Sequence, residues 1–161
     1  MEDNYIYPLI VAAITVEAIC VSILFYKNRI GRNIKIWYDE YKIGAYFFDV
    51  LALIFCSSLS ILLSSNFFMQ IIIVIVIGLI HDLTFGYFIN RSKPKTGISK
   101  LFYDYAKEGT WKILVIDAML LTGTIITFNY LKTIDVQYLG FIGSVLAYIG
   151  LYIVYSFKKL K

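Results

Sequence analysis

Charged side chains are scarce in this sequence. Lys, Arg, Asp and Glu make up 16% of its 161 residues, whereas hydrophobic residues make up 60%. A soluble domain is about one quarter charged and about half apolar, so this composition excludes an ordinary water-soluble fold. The chain also lacks a Pro-, Gly- or Ser-rich stretch and a block of like charges, which excludes a flexible linker or a low-complexity tail. We therefore expect one compact unit in lipid.

Motifs of enzymes and metal sites are missing as well. The two cysteines, Cys20 and Cys56, stand alone without ligand spacing, and we interpret them as small buried hydrophobic residues. There is no Gly-x-Ser-x-Gly, no His-Glu-x-x-His and no Walker loop. A conventional hydrolase, a zinc protease or a nucleotide-driven transporter is therefore disfavoured. The sequence favours a protein that is not an enzyme, and it identifies no cofactor and no metal.

Five apolar runs are each long enough to cross a bilayer, which takes about 20 helical residues. They cover roughly residues 8–26, 44–63, 67–90, 111–131 and 137–157. Because Glu2 and Asp3 stand where a secretory signal would carry basic residues, we expect the first run to be a retained span. The sequence predicts an all-α, polytopic membrane bundle of about five transmembrane helices in a single domain.

Basic residues indicate how the spans are oriented. They cluster between the first and second runs, around the start of the fourth run, and after the fifth, whereas only Lys132 lies on the other side. The positive-inside rule places such segments in the cytoplasm, with the N-terminus outside and the C-terminus cytoplasmic. This placement accounts for the net charge of +4, so we expect no nucleic-acid partner. The clustered residues are Lys27, Arg29, Arg32, Lys35, Lys42, Arg91, Lys93, Lys95, Lys100, Lys107, Lys112, Lys158, Lys159 and Lys161.

The sequence repeats itself at an offset of 65 residues. In this register KIWYDEY, which starts at Lys35, aligns with KLFYDYA, which starts at Lys100. Each copy then consists of a span, a short basic and aromatic segment and a second span, over about 8–63 and 67–131, with the fifth span added. Since each copy crosses the membrane an even number of times, we expect the two copies to be parallel.

The segments between the spans of each copy are predicted to be short cytoplasmic helices at the membrane surface. Apolar residues recur at i, i+3, i+4 and i+7, starting at Ile34 and at Ile98, which is typical of an amphipathic helix. We interpret their aromatic rings as an interface belt at headgroup level; a partner-docking or lipid-reading role is the alternative. The residues of interest are Lys35, Trp37, Tyr38, Asp39, Lys100, Phe102, Tyr103 and Asp104.

Five ionisable residues fall inside the predicted spans, namely Glu17, Asp49, His81, Asp82 and Asp117. Each such group costs about 2.5 to 3.5 kcal/mol near mid-helix, so four unpaired carboxylates would cost roughly 10 kcal/mol. They must be paired, protonated or in contact with water. Glu17 aligns with Asp82 in the repeat, and we expect all four carboxylates at similar depth in the cytoplasmic half, gathered around one axis.

Several roles are open for this polar layer. It could lock helix packing as a hydrogen-bond network, bind a cation, relay protons through His81, or hold a lipid headgroup for binding or catalysis. His81 and Asp82 are adjacent and point about 100° apart on a helix, so we expect no simple hydrogen bond between them. Lys112 is expected to reach the interface or to pair with Glu108.

The fifth span carries small residues along one stripe, at Gly140, Gly143, Ala147 and Gly150. Such a stripe allows another helix to approach closely. The partner helix belongs either to this chain or to a second copy, so a homo-oligomer through the fifth span is one of two interpretations. The lipid bilayer is the other expected partner.

Three segments, HDLTFGYF from His81, LFYDYAKEG from Leu101 and KILVIDAML from Lys112, together resemble a family of small multi-span membrane proteins encoded by giant DNA viruses of the mimivirus and algal-virus kind. FFDVLAL, from Phe47, looks like the aspartate segment in the preceding helix of that family. The resemblance implies a viral source and a membrane setting. It implies no reaction.

The first hypothesis is a virus-encoded membrane protein with a structural or scaffolding role, in a virion's internal membrane or a host membrane. The second is a small cation or proton channel or transporter that uses the carboxylate layer. The third is a membrane-embedded enzyme that modifies lipid, which requires a pocket that reaches the carboxylates from the cytoplasmic side. Convergence of the carboxylates on a cavity, rather than pairing in dry helix contacts, would favour the second and third hypotheses.

Overall fold

A computed structural model of the chain describes residues 5–27, 32–92, 96–109 and 111–156. These residues are almost entirely helical and contain no strand, so the all-α prediction is confirmed. In chain order the helices are α1 (Ile6–Lys27), α2 (Arg32–Tyr41), α3 (Ile43–Leu63), α4 (Phe67–Arg91), α5 (Gly97–Gly109), α6 (Trp111–Leu131) and α7 (Val136–Ser156).

Five of these helices, α1, α3, α4, α6 and α7, are long and apolar enough to cross a membrane. A helix pairs its backbone N–H and C=O groups within its own segment, which lipid requires. Large apolar side chains such as Phe55, Phe68 and Phe141 face outward, as lipid contact favours. The protein is an integral membrane protein. Part of the charge pattern used for orientation lies outside the described residues, namely Glu2, Asp3, Arg29, Lys93, Lys95, Lys158, Lys159 and Lys161.

Helix α1 lies at the centre of the bundle. It packs against α7, α6 and α3, and its residues Leu9, Ala12, Ala13 and Val21 have no exposed surface. Helix α4 packs against α6 and α3. The two short helices, α2 and α5, pack against each other where α1 passes to α3 and α4 passes to α6. We call this end of the bundle the basic end, because most Lys and Arg residues belong to it.

At the opposite end, a short turn joins α3 to α4. The side chain of Asn66 accepts a hydrogen bond from the N–H of Met69 at 3.1 Å and caps α4. Gln70 Nε2 donates to the carbonyl of Ser64 at 2.9 Å, and Ser60 Oγ donates to the carbonyl of Gln70 at 2.6 Å. These bonds satisfy polar groups of the turn, which joins α3 and α4 in a tight helical hairpin.

A single residue, Lys42, separates α2 from α3. Its φ of 45° lies in the left-handed region, which turns the chain sharply between the two helices. Its Nζ lies 3.0 Å from Oδ1 of Asp39. The turn carries α2 back over the basic end, where it packs against α3 and α5.

The small-residue stripe of α7 is packed inside the chain at two positions. A Cβ added at Gly143 would lie 3.0 Å from a side-chain atom of Val11, and one added at Gly150 would lie 2.6 Å from the hydroxyl oxygen of Tyr46. At Gly140 such a Cβ would have no atom within 4 Å, and Ala147 is only partly buried. Packing within the chain accounts for Gly143 and Gly150, and the homo-oligomer stays a prediction.

Candidate functional site

A cavity of about 590 Å³ lies within the basic end of the bundle. Residues of α1 to α6 line it, and its walls are mostly apolar. Pockets for small organic ligands have volumes of about 300 to 1,000 Å³. We call it the acidic cavity, because its lining includes all five ionisable residues of the predicted polar layer: Glu17, Asp49, His81, Asp82 and Asp117.

The four carboxylates lie at similar distances from the ends of their helices that face the basic end. Asp49 and Asp117 each lie six residues after the first residue of their helices, α3 and α6. Glu17 and Asp82 lie ten and nine residues before the last residues of α1 and α4. At a rise of about 1.5 Å per residue, these offsets place all four at similar depth from the basic end.

In the first copy, Tyr38 joins two of the carboxylates. Its hydroxyl donates a hydrogen bond to Oδ2 of Asp49 at 2.6 Å and also contacts Oε1 of Glu17. Nε1 of Trp37 donates to the same Asp49 oxygen at 3.1 Å. Glu17 and Tyr38 are 1% and 2% exposed, so these bonds hold α2 to α1 and α3 in a region where an unpaired polar group is costly.

Trp37 and Tyr38 therefore do not belong to an interface belt. Both side chains are buried within the protein, so the expectation that they form an exposed belt in contact with lipid headgroups is wrong. The reason is that their N–H and O–H groups find carboxylate partners inside the cavity. Burial, followed by the charges of Asp49 and Glu17, raises the pKa of the Tyr38 hydroxyl well above its ordinary value, so Tyr38 remains a hydrogen-bond donor.

The contacts described for the second copy are different. Tyr103, the counterpart of Tyr38, lies with its ring centroid 4.3 Å from Nζ of Lys107 in a cation–π contact. Asp82, the counterpart of Glu17, interacts with two other residues of the cavity. The two copies thus share helix positions but differ in their chemistry at the level of the carboxylates.

His81 and Asp82 are in direct contact, with 3.0 Å between Nδ1 and Oδ1. The expectation that these neighbours would not bond is wrong, because rotation about the side-chain torsions brings both polar groups together despite their separation around the helix. The ring of His81 is stacked with that of Phe85 at a centroid distance of 6.3 Å. Asp117 of α6 lies close to Asp82.

Tyr105 is a residue of the cavity that the sequence did not single out. It lines the cavity from α5. Burial, followed by the carboxylates of Asp117, Asp49 and Asp82, raises the pKa of its hydroxyl above the ordinary value of 10. Tyr105 therefore offers a neutral hydroxyl close to carboxylates of both copies. The only signal in the sequence is its place on the apolar face of α5, seven residues after Ile98.

Aromatic rings line the cavity on the side of α2 and α5. The ring centroid of Phe102 lies 4.9 Å from that of Trp37, 5.1 Å from that of Phe85 and 6.3 Å from that of Phe48. Trp37 and Phe48 also meet edge to face at 5.9 Å. Phe102 thus connects α5 to α2, α3 and α4.

Glu108 of α5 holds the first residues of α2. Its carboxylate accepts hydrogen bonds from the backbone N–H groups of Arg32 at 2.6 Å and Asn33 at 2.9 Å, and from Nδ2 of Asn33 at 2.7 Å. The first N–H groups of a helix have no partner within it, so Glu108 caps α2 from another helix. Partial burial by itself would raise the pKa of Glu108. The hydrogen bonds from Asn33 and Arg32 outweigh burial and lower this pKa below its ordinary value. Lys112 is exposed, and its position at the membrane interface stays a prediction.

Two pairs of oppositely charged residues lie on or next to the surface helices. Nζ of Lys42 lies 3.0 Å from Asp39, and Lys100 pairs with Asp104 one turn later on α5. Lys35 is partly buried on α2. None of these is among the described residues that line the cavity. The pair of Lys100 and Asp104 is exposed, and an exposed pair contributes less than about 1 kcal/mol.

The inner end of the cavity is closed by apolar packing. Gly78 and Leu121 line it there, and a Cβ added at Gly78 would lie 2.3 Å from Cδ1 of Leu121. One helical turn further from the basic end, Val74 and Ile125 have no exposed surface. The described residues therefore form a cavity with a closed floor rather than a channel through the bundle.

The cavity also reaches the outer face of α4. Leu83 and Tyr87 line the cavity and are 63% and 56% exposed. Gly86, between them in sequence, also lines the cavity, and a Cβ added to it would meet no atom within 4 Å. In a membrane this face of the helix contacts lipid, so the cavity has a side that lipid-soluble molecules can approach.

Comparisons with protein-family models, with curated proteins and with solved structures found no match to this chain. The viral source, the membrane of residence and the scaffolding role therefore stay predictions.

The described lining of the acidic cavity has far more negative than positive groups. It includes four carboxylates and one imidazole, that of His81, and no Lys or Arg. Carboxylates in an apolar region are costly unless they are protonated or paired. Among the described residues, no group of three or more His, Cys, Asp or Glu side chains is arranged to hold a metal ion. An excess of acidic groups between apolar walls favours a positively charged group that also has apolar parts.

Proposed function

We propose that the protein binds an amphiphilic organic cation in the acidic cavity. The observation that carries this proposal is the position of four carboxylates within a mostly apolar cavity of about 590 Å³. A protonated amine would donate charge-assisted hydrogen bonds to the carboxylates. The apolar walls would cover the rest of the molecule, and rings such as Trp37 and Phe102 would add cation–π contacts.

The ligand enters from the bilayer, beside α4. The exposed positions of Leu83 and Tyr87 on the cavity wall support this route. With the basic end in the cytoplasm, as the positive-inside rule favours, the carboxylates lie in the cytoplasmic half of the membrane. An amphiphile of the inner leaflet would then reach them without crossing the bilayer.

Binding of matched amphiphiles to the purified protein in nanodiscs tests this proposal. Dodecylamine, dodecanol and dodecyl sulfate share one alkyl chain and differ in headgroup charge. We expect the amine to bind most tightly, and we expect Asp82→Asn and Asp117→Asn each to weaken its binding about tenfold or more, because a hydrogen bond to a charged group contributes roughly 1.5 to 3 kcal/mol. Equal binding of all three amphiphiles would show adsorption to the bilayer and contradict the proposal.

A cavity-filling variant tests the location of the site. Gly86→Phe adds a ring to the cavity wall at a position where no neighbouring atom blocks it. Gly140→Phe adds the same ring on α7, at a position that is equally open and is not among the described lining residues. We expect only Gly86→Phe to abolish binding of dodecylamine. Similar affinities of both variants would place the ligand elsewhere.

The contact between His81 and Asp82 favours a second candidate, acid–base catalysis on the bound amphiphile. A carboxylate at Nδ1 orients an imidazole for proton transfer at Nε2. Incubation with a membrane lipid extract, followed by mass spectrometry, would then reveal a product that His81→Gln does not form. The absence of any product with the unmodified protein would end this reading.

Conduction of ions or protons requires more than the cavity provides. The packed layer at Val74 and Ile125 would have to open. We therefore expect no cation or proton flux in liposomes from the unmodified protein, Asp82→Asn or Asp117→Asn. A flux that either substitution abolishes would favour the transporter hypothesis instead. The structural role in a viral membrane is tested separately, by mass spectrometry of purified virions from the source virus.

A further inference from the structure

The carboxylates lie part-way along the acidic cavity rather than at its end. On α4 the lining extends from Gly78 to Asn90, and Asp82 is four residues from the inner limit. On α6 Asp117 is likewise four residues from the inner limit, Leu121. At a rise of 1.5 Å per residue, the lining on α4 continues about 6 Å beyond the carboxylate toward the bilayer centre and about 12 Å toward the basic end.

The part beyond the carboxylates is an apolar space, which we call the inner compartment. The residues that line it are Leu53, Cys56, Gly78, Leu120 and Leu121. Gly78 is essential to its volume, because a side chain there would collide with Leu121, whose Cδ1 is 2.3 Å from the added Cβ. Leu121 would have to move, and the free space beside it would shrink.

The part between the carboxylates and the basic end is larger and largely aromatic, and we call it the outer compartment. Trp37, Phe85 and Phe102 line it together with Ile89 and Ile113. The layer of negative charge thus has apolar walls on both sides. A ligand that fills the cavity must carry its positive charge between two apolar groups.

We infer that the ligand is a secondary or tertiary amine, with a short apolar substituent in the inner compartment and a longer apolar body in the outer compartment. This inference rests on the proposed function, since it specifies the ligand of the same cavity. A primary amine at the end of a chain would place its ammonium group against the carboxylates and leave the inner compartment empty. The unfilled space would contribute no burial of apolar surface and no dispersion contacts.

Two isomeric amines test the inference in nanodiscs that contain the full chain. Dodecylamine and N-propylnonylamine have the same number of carbon atoms and the same charge, and only the second has an apolar group on each side of its nitrogen. We expect N-propylnonylamine to bind about tenfold more tightly, since burial of each methylene contributes appreciably to affinity.

Gly78→Ala should reduce this preference selectively. The added methyl group displaces the side chain of Leu121 and so narrows the inner compartment. The affinity for N-propylnonylamine should therefore fall about fivefold or more while that for dodecylamine stays the same. Gly140→Ala is the matched control, because it makes the same change at an open position of α7. Leu121→Val shortens the side chain that faces Gly78 and therefore enlarges the inner compartment. It should shift the preference toward N-butyloctylamine, and it tests the inference even if Gly78→Ala does not fold.

The outcomes separate the two proposals. If neither amine binds, the proposed function itself fails. If both bind but dodecylamine binds as tightly as N-propylnonylamine, the acidic cavity remains the site and the inference about the ligand is overturned. The same conclusion follows if the ratio of the two affinities is unchanged in both Gly78→Ala and Leu121→Val.

Discussion

The phenolic oxygen of Tyr38 lies 2.6 Å from Oδ2 of Asp49, so a residue of a short surface helix is hydrogen-bonded to a carboxylate within a membrane span. The same oxygen contacts Glu17 of the central helix. One hydroxyl group therefore links α2 to two different spans. This link makes α2 part of the folded bundle, rather than a loop helix that only rests on the membrane.

Removal of this hydroxyl should destabilise the protein. Tyr38→Phe keeps the ring but leaves the buried carboxylate of Glu17 and the partly buried one of Asp49 without their shared partner. We expect a loss of about 1 to 3 kcal/mol in the free energy of unfolding. Denaturant unfolding in detergent measures it. Tyr148→Phe removes a hydroxyl from an exposed ring of α7 and should have little effect. Equal stability of the two variants would contradict the assigned role.

Loss of the carboxylate of Glu108 should loosen the start of α2. Glu108→Gln weakens the charge-assisted bonds from the N–H groups of Arg32 and Asn33. We expect the free energy of unfolding to fall by about 1 kcal/mol, as for the loss of other helix caps. Faster amide hydrogen exchange at the start of α2, with no change in α7, is the expected observation. An equal increase in the exchange rate throughout the chain of Glu108→Gln would contradict the role of Glu108 as a local cap.

The same contact predicts a dependence on pH. The pKa of Glu108 in the folded protein lies below the free value of 4.5, so its contribution to stability is complete above pH 4.5 and declines as the pH falls through the folded-state pKa. The difference in unfolding free energy between the unmodified protein and Glu108→Gln should therefore be constant near neutral pH and diminish below 4.5. If the difference in unfolding free energy instead increases as the pH falls, the assigned role of the Glu108 carboxylate is contradicted.

Phe102 should contribute strongly to the packing of the outer compartment. Its ring contacts Trp37, Phe85 and Phe48. We expect Phe102→Ala to lower the free energy of unfolding by about 3 kcal/mol. This value is at the low end for loss of a buried Phe, because the side chain of Phe102 is only partly buried. Phe102→Leu should cost less, since it retains part of the volume. Phe141→Ala, on the exposed face of α7, is the control. The intrinsic fluorescence of Trp37 should also change in Phe102→Ala and not in the control.

The stripe of α7 should tolerate added volume at one glycine and not at another. Gly150→Ala places a methyl group 2.6 Å from the hydroxyl oxygen of the buried Tyr46, and overpacking of this kind costs about 1 to 3 kcal/mol. Gly140→Ala meets no atom within 4 Å and should leave the stability of the monomer unchanged. If Gly140→Ala instead dissociates an oligomer, measured by light scattering, Gly140 lies at an interface between copies.

Much of the fold could be predicted because lipid imposes simple demands on sequence. Every span had to be an apolar helix of about 20 residues, so the bounds of α3, α4, α6 and α7 follow closely from composition. The amphipathic spacing from Ile34 and Ile98 likewise indicated α2 and α5. The candidate site was harder, because Tyr105 and Glu108 carry no pattern that separates them from an ordinary surface helix.

By itself the sequence determined that the protein is a bundle of helices in a membrane, and that a few ionisable residues interrupt its spans. Both follow from the cost of polar groups in hydrocarbon, which depends only on residue type and on position along a helix. The tertiary structure alone decided that Tyr38 joins Glu17 to Asp49, that His81 contacts Asp82, and that the cavity continues past its carboxylates. These depend on which helices face each other and on side-chain torsions, which the spacing of residues along a chain does not encode.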